Sequence, residues 1–105
     1  MYKFIYLLIL FLFSCGFVDG DSILTVKNNS NFTITNVKLE YSSSKKIVNI
    51  GNIKPFSIYK YQIDSPLQED SIKIFYNDSS GIMHEGIAAG YIIKGSGDDY
   101  QFEVK

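Results

Sequence analysis

The chain has no tryptophan, a single cysteine, a single histidine and two prolines, and its ten basic residues are all lysine. One cysteine excludes an internal disulfide, and one histidine without a second cysteine excludes the usual structural zinc sites, which need four such ligands at set spacings. The absence of arginine, with a formal net charge of −1, excludes the basic stripe of a nucleic-acid binder, so no nucleic acid is expected as a partner. No stretch of useful length carries a helical apolar period, which argues against a helical bundle. What is present in quantity is isoleucine, asparagine, serine and aromatic side chains, with eight tyrosines and eight phenylalanines.

The longest apolar run lies at the start. Residues 4–13 are uninterrupted apolar and aromatic side chains behind Lys3. A bilayer span needs roughly 20 such residues, whereas an export signal needs about 7 to 15 behind a positive charge, and the run fits the second description. Residues 1–14 are therefore expected to be a signal helix that takes no part in the fold of the domain after it. Its end, Leu12-Phe13-Ser14-Cys15, resembles the lipobox of bacterial lipoproteins. That resemblance implies a diacylglycerol on Cys15, a membrane partner through this lipid anchor, and residues 15–22 as lipidated cysteine and spacer. Val18-Asp19-Gly20 offers a second cleavage pattern, of small-x-small type, that would release a soluble chain from Asp21; an uncleaved anchor is the third possibility.

Residues 23–105 are expected to form one domain, stabilised by its apolar core alone. Leu24 and Val26 alternate with Thr25 and Lys27 as a first strand. Phe32 and Ile34 share one parity while Val37, Leu39 and Tyr41 share the other, so a bulge or a move between sheets is expected at Thr35-Asn36. A third strand over residues 47–50 ends at Gly51-Asn52, and a fourth carries Tyr59, Tyr61 and Ile63 on one face. Residues 67–70 are expected to be a loop or one helical turn. Ile72, Ile74 and Tyr76 begin a hairpin that turns over residues 77–81, and Gly86 and Gly90 in its return strand indicate a bend or a close backbone approach. Residues 91–94 and 100–104 are expected to form a last hairpin. Together these segments predict an all-β fold, an Ig-like antiparallel β-sandwich of seven or eight short strands.

Leu24-Thr25-Val26-Lys27-Asn28-Asn29-Ser30, Ile34-Thr35-Asn36-Val37-Lys38-Leu39 and Ile50-Gly51-Asn52-Ile53-Lys54-Pro55 resemble bacterial Ig-like surface domains of the cell-adhesion-related type. The resemblance implies a sandwich at a cell surface and carries over no binding residue.

No catalytic constellation stands out, and no cofactor or metal is expected. His84 and Glu85 point to opposite faces of a strand and cannot act together. Asn77, Asp78 and Ser80, or Asp98 and Asp99, could offer oxygen to calcium, but Asx-type turn bonding accounts for both groups. Tyr59 and Tyr61 share one strand face at a spacing suited to a carbohydrate. Asn28, Asn31 and Asn77 open Asn-x-Ser/Thr triplets, glycan acceptors if the source is eukaryotic. The expectation is an exported, lipid-anchored envelope module that binds an unknown protein or glycan without catalysis: an adhesion accessory, or an inhibitor of an attacking hydrolase. The alternatives are a soluble secreted binder and, in a third class, a hydrolase.

Overall fold

The computed structural model describes residues 22–105, so the expected signal helix, Cys15 and the spacer as far as Asp21 lie outside the described residues. Seven strands follow one another: β1 (Ile23–Asn28), β2 (Ile34–Tyr41), β3 (Ile47–Ile53), β4 (Ser57–Gln62), β5 (Glu69–Asn77), β6 (Met83–Ile93) and β7 (Tyr100–Val104). They form a sandwich of a three-stranded sheet, ordered β4-β1-β7, and a four-stranded sheet, ordered β3-β2-β5-β6. The alternation in each strand decides which side chains meet between the layers. Leu24 and Val26 from one sheet, and Ile34, Leu39, Tyr41, Ile72 and Ile74 from the other, are completely buried, each aliphatic side chain contributing about 1.5 to 3 kcal/mol.

The change of apolar phase inside β2 is a bulge. Its register slips between Ile34 and Val37 against β3 and between Thr35 and Lys38 against β5, and Asn36 takes a φ of 51°. One extra residue lets Ile34 and Val37 face the same core although their spacing is odd. The strand remains in one sheet throughout.

The strands differ from expectation at the end of β3, at the start of β5 and in topology. β3 does not stop at Gly51-Asn52: Gly51 takes a φ of 97°, beside the bulge it pairs with, and the strand continues to bury Ile53. β5 begins at Glu69, where a loop or helical turn was expected, because Asp70 is buried with its charge answered by the turn after β2. The Asp70 carboxylate accepts from the backbone N–H of Ser43 at 2.7 Å, Ser71 at 2.8 Å and Ser44 at 3.2 Å.

The third difference concerns topology. The expected hairpin between residues 91–94 and 100–104 does not form. β6 stays on the edge of the four-stranded sheet, while β7 crosses to the other layer and pairs parallel with β1, Leu24 opposite Tyr100 and Val26 opposite Phe102. The remaining pairings are antiparallel. Gly95 and Gly97, both at positive φ, turn the chain between layers. The crossing places Tyr100, Phe102 and Val104 against the core, which a hairpin on β6 would leave uncovered. Gly86 marks a close approach, since a Cβ there would lie 2.7 Å from the Phe102 ring.

Candidate binding groove

The residues with chemical potential in the hairpin turn are engaged with one another. Asp78 Oδ1 accepts the N–H of Ser80 at 2.8 Å and of Ile82 at 3.0 Å, and Oδ2 meets His84 Nε2 at 2.8 Å. The His84 ring stacks on Tyr76, with centroids 5.1 Å apart and planes 15° apart. The bond from His84, with those from Ile82 and Ser80, holds the Asp78 carboxyl below the usual range. Burial, then the nearby Asp78 charge, raises the Tyr76 phenol. The arrangement closes the turn with the Asx-type bonding expected from residues 77–81.

Asp99 is occupied similarly, its Oδ1 accepting the N–H of Ile23 at 3.2 Å. Among the described residues no group of three or more His, Cys, Asp or Glu could hold a metal ion.

Tyr59 and Tyr61 do share a face of β4, but it is the face turned toward the other sheet, because they pair with the inward-facing Val26 and Leu24. The Tyr61 ring packs against the core, and its hydroxyl lies 2.7 Å from the hydroxyl of Tyr41. Tyr59, at the sheet edge, is the more exposed of the two at 39%.

Asn28 is a correction to the sequence reading as a glycan acceptor. Its side chain is wholly buried, and Nδ2 donates to the carbonyls of Phe32 at 2.9 Å, Ile53 at 3.0 Å and Lys54 at 3.1 Å. Oδ1 accepts from the N–H and the hydroxyl of Ser30. A glycan on that nitrogen is incompatible with these bonds; Asn28 instead ties the end of β1 to the following loop and to the end of β3. Asn31 is exposed and Asn77 is half-buried.

Unengaged polar groups gather elsewhere, on the outer face of the four-stranded sheet. Residues paired across strands share a face, so Asn49, Lys38, Phe75 and Glu85 form one row, and Ile47, Glu40, Lys73 and Ile87 form the next. Where Asn77 pairs with Met83 the bulge and Gly51 open the surface into a groove of about 450 Å³, within the range of about 300 to 1,000 Å³ for small-ligand sites. Asn36, Lys38, Asn49, Phe75, Asn77 and Met83 are among its lining residues. Lys38 Nζ lies 5.4 Å from the centre of the Phe75 ring. It meets no carboxylate among the described residues, whereas the neighbouring Lys73 lies 3.8 Å from Glu85. No described residue hydrogen-bonds the side chains of Asn36, Asn49 or Asn77. None of these six is expected from the sequence as a residue of a sugar or protein contact; Asn77 enters there as a turn residue, a calcium candidate and the start of an Asn-x-Ser triplet. Their common outward parity with Lys38 is the signal that unites them.

No protein-family model matches the chain, and no curated protein matches it. Its fold is similar to the NMR structure of a protein from Eubacterium rectale, with a TM-score of 0.58 over 85% of this chain and 82% of that one, at 13% sequence identity. At that identity the likeness shows the fold alone.

Proposed function

We propose that the chain is an exported, lipid-anchored module of the cell envelope that acts by binding, with Cys15 as its tether and the outer-face groove as its contact surface. Lys3, the apolar run over residues 4–13 and Leu12-Phe13-Ser14-Cys15 support export and anchoring. Seven residues, 16–22, separate Cys15 from β1 and reach about 25 Å at full extension, so an anchored sandwich would stand close to the bilayer. Several acyl chains, each methylene worth about 0.8 kcal/mol, would make release rare.

The observation that carries binding over hydrolysis is the contrast between two regions of the sheet. His84 and Asp78 are bonded into a turn, whereas among the described residues the carboxamides of Asn36, Asn49 and Asn77 have no hydrogen-bond partner and Lys38, over the Phe75 ring, meets no carboxylate. A soluble module starting at Asp21 would use the same groove.

Growth of a bacterial host expressing the full chain with a clickable fatty-acid probe tests the tether. Wild-type protein should label and sediment with membranes, and Cys15→Ala should do neither. A Cys15→Ala protein that still labels and stays with the membrane refutes anchoring through this residue.

A further inference from the structure

The geometry points to a ligand class for the groove: we propose that it binds a carboxylate-bearing sugar residue of an acidic glycan, with Lys38 receiving the carboxylate and the amides of Asn36, Asn49 and Asn77 receiving hydroxyls. This rests on the groove being the contact surface. Lys38 is the only charged residue among those lining it, and it lacks an acidic partner among the described residues. One ammonium suits one carboxylate; a phosphate site would gather more cations, arginine above all.

Each carboxamide offers both donors and an acceptor, as does each sugar hydroxyl. Three of them reach one groove from two neighbouring strands and a third, since Asn36 lies on β2, Asn49 on β3 and Asn77 on β5. Phe75 and Met83 supply apolar surface for the C–H face of a sugar ring. An extended peptide fits less well. β2 lies between β3 and β5, its backbone groups belong to two ladders, and no strand can be added there.

Calorimetric titration of the full chain in detergent micelles tests the assignment, using oligomers of galacturonate, mannuronate and glucuronate, each with its methyl ester as a neutral control. At least one acid oligomer should bind about tenfold or more tightly than its ester, equivalent to about 1.4 kcal/mol, with the difference shrinking as salt rises. Lys38→Gln should bind acid and ester alike, and Asn49→Ala should weaken both; thermal melts of each variant would show that the fold persists. If acid and ester bind wild type equally and Asn49→Ala weakens both, the carboxylate assignment is overturned while the groove remains the contact surface. If no oligomer binds, or if Asn49→Ala leaves binding untouched, the sugar assignment in this groove is overturned. A Lys38→Gln protein that keeps the preference for acid overturns the role of Lys38.

Discussion

Replacing Asn28 by alanine would remove the bonds that join three segments of the chain. Two N–H donors shared among the carbonyls of Phe32, Ile53 and Lys54, and two bonds accepted from Ser30, are lost together. At about 1 kcal/mol net for each bond, with buried carbonyls left without donors, the cost should be about 3 to 4 kcal/mol. A domain of this size holds roughly 4 to 13 kcal/mol in total, so the melting temperature should fall by roughly 15 to 25 °C. Asn28→Asp sharpens the test, because it keeps the shape while facing the same carbonyls with a carboxylate. Burial against acceptors would raise its folded pKa above the unfolded value of about 3.9. Stability gained from the protonated form is then fully present below about pH 4 and is lost as pH rises through the folded value. At pH 7 Asn28→Asp should melt below Asn28→Ala, and the gap should narrow on acidification. Urea or thermal melts from pH 3 to pH 7 read both effects; an Asn28→Ala protein within about 5 °C of wild type would refute the latch.

Gly86→Ala should cost about 1 to 3 kcal/mol through overpacking, since its Cβ would meet the Phe102 ring at 2.7 Å; a double-mutant cycle with Phe102→Leu should recover part of that loss. The Asp70 carboxyl feels burial, which raises its pKa, but the N–H groups of Ser43, Ser71 and Ser44 outweigh it and hold the value below the ordinary 3.8. Its contribution is present above the unfolded value and lost as pH falls through the folded one, so Asp70→Asn should be less stable than wild type by about 1 to 3 kcal/mol at neutral pH and should lack this part of the acid-induced loss, as urea midpoints against pH would show. Tyr41→Phe removes a hydroxyl that meets Tyr61 at 2.7 Å and accepts the Asp64 N–H at 3.0 Å, and should lower stability by about 1 to 2 kcal/mol in the same assay.

Much of the sandwich was legible because a period of two shows which residues share a face. The odd spacing of Ile34 and Val37 located the β2 bulge to within a residue. Parity does not show which face is inward, and so Tyr59 and Tyr61, correctly placed together on β4, turned out to face the neighbouring sheet. A glycine-rich link such as residues 94–99 suits a hairpin and a crossover alike; only the burial of Tyr100, Phe102 and Val104 against the core decides for the crossover. Asp70 suggested a loop because its charge is unfavourable in a strand until the serine turn supplies N–H groups from 26 and 27 residues away. Asn28 suggested a surface acceptor for the same reason, its partners at Ile53 and Lys54 being remote in the chain. The groove was illegible one residue at a time. Asn36, Asn49 and Asn77 each suit a turn, and they converge only after the bulge and the strand order are known.

Backbone amide shifts of the full chain during titration with the tightest-binding acid oligomer read out whether this domain binds through the outer face of its four-stranded sheet. Perturbations should concentrate at Asn36, Lys38, Asn49, Gly51, Phe75, Asn77 and Met83. Perturbations concentrated instead at Tyr59 and Tyr61, or around Asp78 and His84, would contradict binding through that face.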